Sequence, residues 1–220
     1  GREGELILCP GLDDLQCDYG LLEGFLRQET PLETPVLCLF DNEEIGSSTA
    51  QGAMSTLLPD VLRRICLEQG LGEKDYLRLV AGSMMVSADN AHGVHPNHPE
   101  KAALTNRPKL GEGVVVKYGT GYATTGASAG LLLEMLRRKN VPVQSYFNHS
   151  DVAGGSTLGA LSVTQVSVRT VDIGLAQLAM HSANETAGAA DIGYLVDAME
   201  TFFGAAIRET ADGIYAVDIG

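Results

Sequence analysis

Short apolar runs alternate along this chain with longer stretches of helical periodicity, and that alternation leaves few folds open. Glu5-Leu6-Ile7-Leu8-Cys9 reads as a strand ended by Pro10-Gly11. Leu12 to Arg27 then places Leu15, Tyr19, Leu22, Phe25 and Leu26 at helical spacing. Pro35-Val36-Leu37-Cys38-Leu39-Phe40 reads as a buried strand, and Ala50 to Gln69 as a helix with Leu57, Leu58, Val61, Leu62 and Ile65 on one side. Leu77 to Ser87 is apolar and β-rich, Val114 to Tyr118 is a strand, and Ser128 to Lys139 is a helix. Val143 to Asn148 (strand), Gly155 to Gln165 (short helix), Val166 to Ile173 (strand) and a long helix from about Ala187 to Ile207 complete the pattern. Strands separated by helices of this length predict an α/β fold, a three-layer sandwich around a mostly parallel sheet. No internal repeat or linker-like shift divides the 220 residues, so a single domain over 1–220 is expected.

The charge balance narrows the partners. With 15 basic and 28 acidic residues the chain carries a formal charge of −13. Phosphate binding needs clustered Lys and Arg, so nucleic acid and anionic membrane surfaces are excluded as expected partners. No apolar run reaches the roughly 18 residues needed to span a bilayer. The four cysteines, Cys9, Cys17, Cys38 and Cys66, show no CxxC spacing and no disulfide framework, which suits a reducing, cytoplasmic setting.

Acidic and imidazole side chains gather where the strands end. Asp13 and Asp14 follow the first strand, Glu43 and Glu44 the second, Asp89 and His92 the Leu77–Ser87 run, and His181 lies shortly after Val166–Ile173. Carboxylates at the C-terminal edge of a sheet stand where open α/β folds place their ligands. Each has an ordinary structural use: Asp13-Asp14 as a helix cap, Asp89-Asn90 as a turn, His181 as a buried ring. Together, four strand ends deliver Asp, Glu, Asp and His to one edge. That set suits zinc, cobalt or manganese. Two metals roughly 3.5–4 Å apart need a bridging carboxylate, which Asp13 could supply. Asp89 to Leu110 is the longest irregular stretch and holds His92, His95 and His98; loops of that length are usually functional. His95 and His98 sit in the turn His95-Pro96-Asn97-His98-Pro99 and are left outside the metal set.

Four segments carry a family resemblance. DNEEIGSSTAQGAMS (Asp41 to Ser55), SADNAHGVHPN (Ser87 to Asn97), QLAMHS (Gln177 to Ser182) and PGLDDL (Pro10 to Leu15) resemble, in order and spacing, motifs of the aspartyl aminopeptidase family of dinuclear zinc metallopeptidases. The resemblance covers essentially the whole chain. It implies a zinc exopeptidase-like fold and removal of N-terminal Asp or Glu from peptides by a two-metal-activated water. It implies that Asp13 bridges the metals and that Glu43 is the general base. Glu44 and His181 would be terminal ligands of one metal and Asp89 a ligand of the other. His92, Lys117 and Tyr122 would contact substrate or the tetrahedral intermediate, although the Lys117-to-Tyr122 spacing is shorter than the family pattern. Lys117 ends the only strand that finishes in a cation, and could pair with an acidic substrate side chain.

The chain departs from the family in what it lacks. The resemblance implies an N-terminal segment with a His-x-Asp motif, whose His completes the second metal, and an oligomerisation domain that lends a substrate-contacting His to a neighbouring subunit. No His precedes residue 92. The chain opens Gly1-Arg2-Glu3-Gly4 without Met and enters a strand pattern almost at once. It therefore reads as the C-terminal part of a catalytic domain, with an exposed sheet edge and at most one well-formed metal site. The competing reading is a non-catalytic metallopeptidase-like module for binding or assembly. A third is a related dinuclear enzyme acting on other amides.

Overall fold

The computed structural model describes residues 2–152 and 154–220. The strands are β1 (Leu6–Cys9), β2 (Met84–Ala88), β3 (Ala91–His92), β4 (Val114–Tyr118), β5 (Val143–Phe147), β6 (Arg169–Gly174), β7 (Ala176–Leu178), β8 (Glu185–Gly188), β9 (Ala206–Ala211) and β10 (Ile214–Asp218). The helices are α1 (Leu12–Leu26), α2 (Leu57–Glu68), α3 (Glu73–Gly82), α4 (Gly126–Arg138), α5 (Leu158–Ser162) and α6 (Ala189–Gly204). The central sheet has the order β2-β6-β4-β5. Its β2–β6 and β4–β5 pairs are parallel, and only β4–β6 is antiparallel. A second sheet, β1-β8-β7-β3, joins two antiparallel pairs to one parallel pair, and β9–β10 form an antiparallel hairpin. The α/β architecture expected from the sequence is present, with mixed sheets around a largely parallel centre.

Strand alternation sets the layers. Val114 and Val116 point one way from β4, with Val171 and Ile173 of β6, and all four are fully buried against α1, α4 and α6. Val115 faces the opposite way and packs with Tyr146, Ala91 and Ala176. Lys117, two residues on from Val115, shares that second face. Two glycines let α6 approach α1. A Cβ on Gly20 would lie 2.5 Å from the Leu195 side chain, and one on Gly24 would lie 2.5 Å from the Met199 Cβ and 2.8 Å from the Glu200 amide nitrogen. Gly in a helix costs about 1 kcal/mol relative to Ala, so this packing is bought with local helix stability. At the start of α6, Asp191 accepts hydrogen bonds from the Gly111 and Gly113 amides at 2.6 and 2.8 Å. Those bonds pin the end of the long loop that carries His92.

Four elements differ from expectation. Pro35–Phe40 forms no strand. Its apolar residues and Met84–Ala88 of β2 instead line a shared cavity of about 540 Å³. Strand formation needs a partner for the backbone, which this run does not find, and Val36 and Leu39 stay exposed. β2 accordingly ends the sheet among the described residues. The β-rich run from Leu77 is mostly the helix α3, begun where the Asp75 carboxylate accepts from the Gly72 amide at 3.1 Å. The expected helix 50–69 shortens to α2, whose Leu57, Val61 and Ile65 stay exposed. The β9–β10 hairpin is not foreshadowed by the sequence pattern.

The α1–α6 contact yields a stability test. Gly24→Ala should lower stability by about 1–3 kcal/mol through overpacking. A Cβ added at Gly193 meets nothing within 4 Å, so Gly193→Ala should be neutral or stabilising. Denaturant unfolding of the two variants checks the contrast.

Candidate metal centre

Each acidic side chain reaches the site by a different local device. β1 pairs antiparallel with β8, and the turn after it delivers Asp13 and Asp14 at the start of α1. Asn42 takes a left-handed backbone (φ 65°) and turns the chain into a 3-10 turn, Glu43–Ile45, that presents Glu43 and Glu44. Parallel pairing of β2 with β6 carries Asp89 just past the sheet end. β7 runs into a tight turn in which Ala179 (φ 55°) and His181 (φ 65°) are both left-handed.

Two groups of potential ligands result. In the first, donor atoms of Asp13, Glu44 and His181 lie within 4.8 Å of one another. His181 Nε2 is 3.1 Å from Asp13 Oδ2 and 3.2 Å from Glu44 Oε2. The second joins Asp13, Asp14 and Asp89. Asp13 belongs to both, the position a bridging carboxylate would hold. Its side chain is only 3% exposed.

Burial and this crowding of like charge both favour the protonated carboxyls. Burial raises Asp13 to about 7, with the Asp89 and Glu44 carboxylates adding to the rise and His181 opposing it. Burial likewise raises Glu43 to about 7, helped by Asp89 and Glu44. Asp14 is pushed well up, chiefly by burial and then by Asp89. Its Oδ1 is buried without a hydrogen-bond partner. Carboxylates held this close repel unless a cation or protons intervene. The orphaned oxygen and the shared Asp13 therefore fit a metal. Imidazole with carboxylates in the first group suits zinc. The second group offers carboxylates alone.

The expected substrate residues surround these groups on the second face of the central sheet. Lys117 is 1% exposed and donates to the backbone oxygens of Asp89 (2.8 Å) and Asn90 (3.2 Å), with the Asp89 carboxylate at 3.5 Å. Its ammonium also lies 5.3 Å from the centre of the Tyr122 ring. It thus holds the Asp89 turn from beneath. Burial pushes the Tyr122 phenol up to about 12, with Asp89 and Asp172 adding to the effect. His92 lies on β3, its ring 6.5 Å from Tyr146. Partial burial, then the Lys117 charge, lowers its pKa. His95 and His98 stand 5.4 Å apart and join neither ligand group.

Several residues of the site gave no sequence signal of their own. Asn90 bridges from the ligand loop to the Leu12 carbonyl (2.9 Å) and the Asp13 carboxylate (3.3 Å), and accepts from the Gln16 amide at 2.6 Å. Asp172, fully buried on β6, accepts from the Ala123 amide and from the Thr157 hydroxyl at 2.9 Å, fixing the loop that carries Tyr122. Glu185 contacts both the Asp13 and the His181 turns. Only adjacency to Asp13 hinted at Asp14. The others depend on strand register.

Comparison with known proteins decides the lineage. Residues 1–203 match the family model described as Aminopeptidase I zinc metalloprotease (M18). The chain belongs to the M18 family of zinc aminopeptidases. A probable M18 family aminopeptidase 2 of Clostridium novyi is 40% identical over 205 residues, covering 92% of this chain and 47% of that protein. The Pseudomonas fluorescens SBW25 relative of the same description is 42% identical over 205 residues, with the same shares covered. The crystal structure of prApe1 superposes with a TM-score of 0.85 at 31% identity, covering 92% of this chain and 44% of that one. The M18 aminopeptidase of Thermotoga maritima gives 0.83 at 26% identity, covering 91% and 46%. The chain spans about half the length of the curated M18 relatives it matches. The hairpin β9–β10 lies beyond the matched residues.

The raised carboxylates predict an unusual pH response of the metal-free chain. Asp13 and Glu43 titrate near 7 when folded, against ordinary values of 3.8 and 4.5. Between about 5 and 7 the folded state binds more protons than the unfolded state, so stability must rise as pH falls through that window. In chelator, Tm should increase from pH 8 to pH 6. Saturating Zn2+ should raise Tm most at pH 8, where ligands are deprotonated. Thermal melts across this range, with and without Zn2+, check both slopes.

Proposed function

We propose that this chain forms the metal-binding part of an M18 aminopeptidase catalytic domain that removes N-terminal residues, Asp or Glu foremost, from peptides. The observation that carries the reading is the sharing of Asp13 by two ligand groups, with Glu43 held near 7 beside them. Asp13, Glu44 and His181 would hold one zinc, and Asp13 with Asp89 would contribute to a second. Bound zinc would supply Lewis acidity toward a scissile carbonyl and toward an attacking water.

The chain's own residues do the remaining work. Glu43, with a pKa close to neutrality, takes a proton from the attacking water and returns it to the leaving amine. Lys117 supports Asp89 and places a buried positive charge behind it. His92 and Tyr122 frame the substrate side; Lys117, 1% exposed and committed to the Asp89 turn, braces that turn in place of the expected pairing with an acidic substrate side chain. The four free cysteines agree with a reducing, cytoplasmic setting. Homo-oligomer formation is proposed from the M18 neighbours, one of which is described as the S. cerevisiae mApe1 dodecamer. Cobalt or manganese could replace zinc on the same oxygen-rich set. The carboxylate-only second group favours one tight site in this chain by itself.

Three measurements test the reading. Zinc titration of this chain should show one tight equivalent; two tight equivalents would remove the need for a further ligand. In a protein of full M18 length that contains this sequence, Glu43→Gln should cut kcat by at least about 100-fold with zinc content unchanged, and loss of zinc would instead make Glu43 a ligand. In the same protein, peptides beginning with Asp should be cleaved faster than those beginning with Leu. Cleavage of neither would leave the non-catalytic module as the reading.

A further inference from the structure

Glu185 occupies a position that the metal reading does not use. It opens β8, opposite Cys9 at the end of β1, and is 2% exposed. Its Oε2 accepts from the Asp13 amide at 3.1 Å, and its Oε1 from the His181 amide at 2.7 Å. One buried carboxylate therefore ties together two turns 172 and 4 residues away in sequence. Both tied residues are proposed metal ligands, and their side chains meet at 3.1 Å, His181 Nε2 to Asp13 Oδ2. Neither turn is held by regular secondary structure at the bonded amide. Asp13 has non-helical dihedrals inside the first turn of α1 (φ −87°, ψ 108°). His181 has a left-handed backbone, φ 65°, which a β-carbon disfavours by roughly 1–2 kcal/mol. Such a conformation persists when its surroundings over-determine it.

We propose that Glu185 is a positioning residue that sets the spacing of the Asp13 and His181 ligands by accepting both of their backbone amides. The proposal rests on the metal assignment made above and adds a residue that acts through the ligands without touching the metal. A glutamine is nearly isosteric but has a single acceptor oxygen. Its NH2 group would face one of the two amide donors, so one turn is released while volume is kept. Outer-shell partners of this kind are typically worth about 10–100-fold in metal affinity.

The test uses the purified chain and Co2+ as a spectroscopic probe. In the wild-type chain the Asp13 and His181 amides should be protected from hydrogen exchange, although both lie in turns. Glu185→Gln should bind Co2+ about 10–100-fold more weakly and shift the visible Co2+ bands, with far-UV circular dichroism and the amide protection of β4 and β6 retained. Equal affinity and an unchanged spectrum in a folded Glu185→Gln chain would overturn the proposal while leaving the metal reading standing. No Co2+ binding by the wild-type chain would instead defeat the metal reading itself. If the variant does not fold, wild-type exchange decides: fast exchange at both amides shows that no clamp exists, and protection at both supports it.

Discussion

The crowding of carboxylates at one partly buried edge is the constraint around which this molecule is arranged. Asp13, Asp14, Glu43, Glu44 and Asp89 arrive from three separate turns, and burial together with the neighbouring carboxylates raises the proton affinity of Asp13, Asp14 and Glu43. A fold gains nothing from such crowding in the absence of a cation. The surrounding structure is correspondingly strongly tied. Lys117 braces Asp89 from the central sheet, Asn90 links that turn to Asp13, and Glu185 joins Asp13 to His181.

The scaffold that permits this is rigid where it must be. β6 is fully buried from Val171 to Gly174 and pairs on both sides, with β2 and β4. One face of this sheet packs against α1, α4 and α6; the other carries Lys117 and Asp172 toward the site. The same strands therefore supply apolar core on one side and buried polar supports on the other, a direct result of two-residue alternation. By contrast, Pro35–Phe40 and the outward faces of α2 and α3 have little to pack against.

Legibility in the sequence followed the range of the interactions. Val114-Val115-Val116-Lys117-Tyr118 reads as a strand with the observed bounds, because a largely apolar run of that length has few other uses. The helix at 126–138 carries its own start signal: the Ser128 amide donates to the Thr125 hydroxyl at 3.1 Å and the Thr125 amide to the Ser128 hydroxyl at 2.9 Å. Pro35–Phe40 has the same apolar signature as β4 but finds no pairing partner. Leu77 to Gly82 has strand-like composition, yet the Asp75 cap sets a helix. Local chemistry is readable in both cases; the availability of a neighbour is not.

The sequence by itself determined the α/β class, the resemblance to the aspartyl aminopeptidase family and the set of candidate metal-binding residues, because strand-end placement and motif spacing are local properties. The tertiary structure decided which of those residues meet. It divided the candidate ligands into two groups sharing Asp13, committed Lys117 to the Asp89 turn, and brought Asp14, Asn90, Asp172 and Glu185 in to support them. The reason is register. Glu185 lies 172 residues from Asp13 along the chain, and only the antiparallel pairing of β1 with β8 places its carboxylate beneath both ligand turns.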